Sequence, residues 1–212
     1  MSNSTNMIKQ IYKHDTKSEI ILKKGIMSIA KEIVPKFVLS DELKTIYHDL
    51  FMYFTGNESR YDLNKGIYIY GIYGVGKTVT MKIFSKFLQK YFNFSPNNFG
   101  TTSVEEIAEY YKQNGNLLKF GRNFDEGKII AYNKCINEFG KPLDEKHYGT
   151  NIQDVINSML MIRYELFQER DAITHATSNY YPGDLKCFDD ALLDRFKEMF
   201  NFIELKGDSF RN

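Results

Sequence analysis

Residues 71–78 read Gly71-Ile-Tyr-Gly74-Val75-Gly76-Lys77-Thr78, three glycines followed by a cation and a hydroxyl at fixed spacing. The spacing matches the loop G-x-x-x-x-G-K-[ST], whose backbone N–H groups cradle a polyphosphate. Glycines reach positive φ without penalty, so Gly71, Gly74 and Gly76 can bring the main chain close to an anion. A helix starting near Gly76 adds unpaired N–H groups and the positive end of its dipole. Lys77 is expected at the β- and γ-phosphates and the Thr78 hydroxyl at Mg²⁺. Val75 and Val79 complete the binding stretch.

Binding phosphate is half of a hydrolytic site. The other half needs a carboxylate that takes a proton from water and a polar group that holds this water in line. Cys135-Ile-Asn137-Glu138-Phe-Gly140 is the best match, with Glu138 as the base and Asn137 in the slot facing the metal. Asn137 is neutral and binds a hydrated cation more weakly than a carboxylate does. Phe124-Asp125-Glu126 is the rival, having both acids but no strand before it. A solvated loop acid is the plain alternative for Glu138. Further along, Thr177-Ser-Asn179 can end a strand on an amide placed between the γ-phosphate and water, or cap the next turn. Arg195 can act as an arginine finger on a neighbouring subunit's nucleotide, or pair with Glu198. Arg211 can reach phosphates or belong to the tail.

These residues need a frame. Ile67–Tyr70 is an apolar run suited to a buried strand, and Thr78–Phe92 has Val79, Ile83, Phe84, Phe87, Leu88 and Tyr91 at helical spacing. Thr16–Glu19 reads as a capping box before a stripe of Ile20, Ile21, Ile26, Ile29 and Ile33, ended by Pro35. Ser40 caps a helix through Phe54, and Gly56 stops it. Phe99–Thr102 reads as a strand. Ser103 and Glu106 form a capping box for a helix to about Gln113, closed by Gly115. Strands are expected near Ile129–Ile136, at Ala172–Thr177 and at Asn201–Leu205. Helices are expected over Ile152–Gln168 and from Asp189. Strands alternating with helices behind a phosphate loop imply a parallel sheet with helices on both faces.

The chain has 212 residues with a formal charge of +1, which gives no global footprint for nucleic acid. Its 15% aromatic content goes with an Asn-, Lys- and Ile-rich composition and is not read as a base-stacking surface. Cys135 and Cys187 are far apart, as suits a reducing compartment. No signal peptide or membrane span is evident, so a cytoplasmic protein is expected. Residues 1–37 hold seven lysines and read as a basic helical extension, with 38–212 as the main domain.

The ordered set resembles the DnaC/IstB-like, helicase-loader type of AAA+ ATPase over roughly Phe37–Arg211. The matching stretches are 50–54, Gly71–Thr78, Asn137–Gly140, His147–Gly149, Arg163-Tyr164, Thr177–Asn179, Asp194-Arg195 with Glu198-Met199, and Gly207–Arg211. The resemblance implies an AAA+ core with a five-stranded parallel sheet flanked by helices. It implies ATP/ADP and Mg²⁺ as ligands, Glu138 as the Walker B base, Asn179 as sensor 1, Arg195 as the finger in trans and Arg211 as a terminal arginine. It also implies a homo-oligomer acting in DNA replication or transposition, with a replicative helicase or single-stranded DNA as partners. The family usually carries an acidic pair where this chain has Asn137-Glu138. Only 17 residues follow Arg195, so little or no C-terminal lid is expected. The alternatives are a nucleotide-gated binding module with little hydrolysis and a small-molecule P-loop kinase.

Overall fold

The structure is a computed structural model that describes residues 12–13, 15–93, 95–121, 123–125, 128–143, 146–169, 172–185 and 190–207. In chain order the elements are α1 (Thr16–Ile33), α2 (Asp41–Phe54), β1 (Gly66–Tyr70), α3 (Lys77–Tyr91), β2 (Phe99–Ser103), α4 (Val104–Asn114), β3 (Asn123–Asp125), β4 (Lys128–Ile130), β5 (Asn133–Asn137), β6 (Lys146–His147), β7 (Thr150–Asn151), α5 (Ile152–Gln168), β8 (Thr174–Ser178), α6 (Asp190–Met199) and β9 (Phe200–Glu204). They form two compact units, one of Met1–Asn64 with Thr78–Phe99 and one of Lys65–Lys77 with Gly100–Asn212.

The first unit is helical and aromatic. Asp15 caps α1 by accepting from the Ser18 N–H at 2.7 Å, one residue earlier than the expected Thr16 cap. Carboxylates are strong caps because they also meet the helix dipole. The buried stripe of α1 is Gly25, Ile26, Ile29 and Ala30, whereas Ile20 and Ile21 are exposed. Ser40 caps α2, and Gly56 turns the chain at φ 72°. The rings of Phe54, Phe84 and Phe99 stack with centroids 5.1 and 5.2 Å apart, and Phe51 meets Phe87. Much of the aromatic content is therefore core. Buried aromatic pairs add about 0.5–1.5 kcal/mol each beyond their area.

The second unit is a five-stranded parallel sheet, order β2-β5-β8-β1-β9, with α4, α5 and α6 packed in one core with it. Tyr68, Phe139, Phe196 and Phe200 are fully buried at its centre, and Phe139 stacks on Phe196 at 5.5 Å. Helix α4 has the expected capping box, Ser103 with Glu106, and ends on Gly115 at φ 67°. Expected and observed bounds agree for α5. The expected strand over 129–136 is two strands, β4 and β5, and the strand expected from Ala172 starts at Thr174. Residue 189, the expected start of α6, lies outside the described residues.

Arg163 of α5 is fully buried in this unit. Its Nε donates to Thr174 Oγ1 at 2.7 Å, and its Nη atoms donate to the carbonyls of Phe120, Tyr132 and Ile173 at 3.4, 3.0 and 2.8 Å. Burial lowers its pKa to about 10, so it stays charged at neutral pH. Partner oxygens on every side offset part of the desolvation cost of a buried cation.

Candidate nucleotide site

Parallel pairing puts the carboxyl ends of adjacent strands on one edge. Tyr70 of β1 registers with Ser178 of β8, and Ile136 of β5 registers with Ala176. The segments that leave those ends are the phosphate loop after Tyr70, Asn137-Glu138 from β5, and Asn179 after β8. Ligands of open α/β sheets gather at this edge.

The loop itself is shaped by its glycines. Gly71 has φ 149°, and a Cβ there would lie 2.2 Å from the Leu205 carbonyl oxygen, so only glycine fits. Gly74 and Gly76 have φ 86° and 92°. A Cβ on Gly76 would meet nothing within 4 Å, so the loop is open above this residue. Val75 is buried under the loop. Lys77 is 8% exposed and folds back, its ammonium donating to the carbonyls of Gly71 and Ile72 at 2.8 and 2.7 Å. Helix α3 begins at Lys77, with Thr78 and Val79 next in its first turn. Positive-φ glycines, an N-terminal helix turn and a lysine over the loop fit a polyphosphate.

Asn137 ends β5 and is buried. Its Nδ2 donates to the Thr102 carbonyl at 3.2 Å, and its Oδ1 accepts from the Thr177 hydroxyl at 3.0 Å. One amide thus ties β2, β5 and β8 together. Glu138 follows at φ 58°, an uncommon conformation for a residue with a side chain, and is exposed. Its carboxylate lies 3.6 Å from the Lys141 ammonium, which also pairs with Glu105 of α4. Beside it, the Ser178 hydroxyl donates to the Phe139 carbonyl at 2.6 Å and accepts from the Tyr180 N–H at 3.0 Å. The half-buried Asn179 stands between those two anchored residues.

Arg195 is elsewhere. It packs on α5, its Nη1 3.0 Å from the Met161 sulfur and its guanidinium 5.6 Å from the Tyr164 ring centroid. The acid next to it, Glu198, instead accepts from the Tyr164 hydroxyl at 2.8 Å. Arg211 lies outside the described residues. So does Glu126 of the rival acid pair, while Asp125 sits in the short hairpin β3–β4. Ser178 and Arg163 fall in stretches that carry the resemblance, but their bonds to Phe139, Thr174 and backbone carbonyls, and the Lys141 pair with Glu105, join residues distant in the chain.

This sheet order, loop and strand-end arrangement define an α/β fold with a phosphate loop at the carboxyl edge of a parallel sheet. The fold is similar to the DnaC-like AAA+ fold. No protein-family model matches the chain, and no curated protein does. Among solved structures it is similar to DnaA from Aquifex aeolicus bound to AMPPCP, with a TM-score of 0.55 at 15% identity, over 81% of this chain and 49% of that one. It is similar to domain III of the Thermotoga maritima replication initiation protein DnaA, with a TM-score of 0.54 at 18% identity, over 80% and 65% of the two chains. It is also similar to the DnaC helicase loader, with a TM-score of 0.50 at 14% identity, over 96% of this chain and 98% of that one. The chain spans about half the length of the Aquifex DnaA chain. At such identities the likeness is one of fold.

Proposed function

We propose that this protein binds ATP or ADP with Mg²⁺ and hydrolyses ATP as an AAA+ protein of DNA replication or transposition, in the manner of helicase loaders. The observation that carries the reading is the convergence of the phosphate loop, Glu138 and Asn179 on one edge of a parallel sheet. In this reading the loop N–H groups and Lys77 hold the phosphates. Thr78 would supply a hydroxyl to Mg²⁺, and a bound Mg²⁺ would offset negative charge on the phosphates. Glu138 accepts a proton from the attacking water, and Asn179 fixes the position of that water. Arg195, resting on Tyr164 with Glu198 engaged elsewhere, is a cation available to a second copy of the chain. Arg211, outside the described residues, is proposed as a further phosphate contact.

A homo-oligomer, a replicative helicase and single-stranded DNA are the partners proposed, in the cytoplasm. The DnaC relative is a helicase loader, which supports the helicase. Tyr148, 96% exposed at φ 46° on the two-residue turn joining β6 to β7, offers a ring on which a base can stack. No helix among the described residues is long and apolar enough to cross a membrane.

A second reading has its own observation. Both ends of the Asn137 amide are engaged by β2 and β8, so this residue acts as a strand tie. A nucleotide-gated binding module with little turnover fits that arrangement. Phosphate release by the wild-type chain and by Glu138→Gln separates the two readings, with Lys77→Ala as the binding control. Robust turnover abolished by Glu138→Gln supports the ATPase. A silent wild type that still binds nucleotide through Lys77 supports the module, and loss of neither binding nor turnover in Lys77→Ala overturns both.

A further inference from the structure

The second unit has a cavity of about 420 Å³ between β2, helix α4, the 117–120 turn and β5. It runs along β2 from Gly100 to Thr102, and its Lys134 wall lies toward the end of the sheet away from the phosphate loop. Lys134 in its wall registers with Thr174, the first residue of β8, whereas the loop leaves β1 opposite Ser178, the last. The volume is that of a small-molecule site.

Its lining holds two lysines and two carboxylates. Lys134 is half-buried, with its ammonium 5.7 Å from the Phe120 ring centroid. Lys119 approaches the same ring at 5.8 Å and the Tyr110 ring at 5.5 Å. No carboxylate pairs with either lysine among the described residues. Behind them the buried Arg163 holds the Phe120 carbonyl. Burial, with the charges of Arg163 and Lys119, holds the Lys134 ammonium below the usual lysine range. The acids of the lining, Glu106 and Glu109, are exposed, as is Lys119. Glu106 accepts from the Ser103 N–H and the Thr102 hydroxyl, and Glu109 accepts from Gln113. Cations without a carboxylate partner in a concave wall favour an incoming anion. The exposed acids of the same lining disfavour a long anionic strand laid across it, whereas a compact anion need meet only the two lysines beside Phe120.

We propose that this cavity is a second ligand site, taking a compact small-molecule polyanion whose clustered phosphate or carboxylate oxygens are held by Lys134 and Lys119 against the Phe120 ring. The proposal does not rest on the nucleotide reading, since neither lysine belongs to the phosphate loop or to the strand ends around Glu138, although Thr102 of the lining also holds Asn137.

The test is calorimetric titration of the full chain carrying Lys77→Ala, which removes the phosphate-loop lysine, with pyrophosphate, with citrate and with a thymidine oligonucleotide. Saturable binding of one or both compact anions is expected, and which of them binds identifies phosphate or carboxylate as the preferred chemistry. Lys134→Gln and Lys119→Gln should each weaken it roughly tenfold. Affinity should fall as pH rises through the lowered Lys134 pKa, because the bound anion favours the charged ammonium over the neutral amine. Lys119 is exposed, so its variant keeps the test valid if Lys134→Gln does not fold. Three results overturn the proposal: neither compact anion binds, binding is unchanged in the folded lysine variants, or only the oligonucleotide binds through these lysines.

Discussion

The Thr177 hydroxyl donates to Asn137 Oδ1 across 3.0 Å, joining β8 to β5 one residue before Glu138. The residue proposed for the metal-facing slot is therefore already committed to two neighbouring strands. Asn137→Asp keeps the Thr177 bond but loses the donor to the Thr102 carbonyl and faces that oxygen with a carboxylate. The variant should be less stable by roughly 1–3 kcal/mol, measured by urea denaturation. If the amide limits hydrolysis, the same variant turns over ATP faster than wild type. Unchanged stability would show that the tie contributes little.

Lys141 stands between Glu105 and Glu138, so its ammonium competes with water for the proposed base. Lys141→Met should raise ATP turnover by about two- to fivefold, the range for a half-exposed ion pair. Added salt should shift wild-type turnover in the same direction and leave the variant flat. A slower variant would mean that Lys141 positions Glu138.

Arg195→Ala should reduce assembly-dependent turnover roughly a hundredfold or more while leaving nucleotide affinity near wild type. Mixing it with Glu138→Gln chains should restore part of the activity, because one chain supplies the finger and the other the base. Absence of rescue at every mixing ratio would remove Arg195 from the site.

His175 gives a pH dependence. Burial and the Arg163 charge lower its pKa from 6.5 to about 3, and its Nδ1 accepts from the Ile67 N–H at 3.0 Å. The folded ring is neutral where the unfolded ring is protonated, so the unfolded state binds more protons between those values. Stability should then fall with pH below about 6.5, by up to about 1.4 kcal/mol per pH unit. Urea midpoints at about pH 7.5 and about pH 5.5 test it, and His175→Asn should flatten the slope.

Local signals were the legible ones. The phosphate loop, the Ser103–Glu106 box, the Gly115 stop and the Ser40 cap each lie within a few residues, and the chain folds there as its own propensities direct. β5 was harder, because Asn133 and Lys134 break its apolar run. Asn133 is tolerated in the core because its Oδ1 accepts from the Ile173 N–H, a partner 40 residues away. The exposed Ile20 and Ile21 show the reverse case, a hydrophobic periodicity that burial does not follow. In the site, the loop could be read directly, whereas the Asn137 tie and the Lys141 pair depend on α4, β2 and β8 arriving beside β5.

The Arg163 guanidinium grips backbone oxygens at Phe120, Tyr132 and Ile173, the last two just ahead of β5 and β8. Those strands consequently share an anchored root. Displacement from the chemistry proposed at Glu138 or Asn179 should then be taken up at the opposite ends, where side-chain bonds such as Thr177 to Asn137 and Ser178 to Phe139 join the two strands. The two strands then work as reeds clamped at one end, with Arg163 and Asn133 as the clamp.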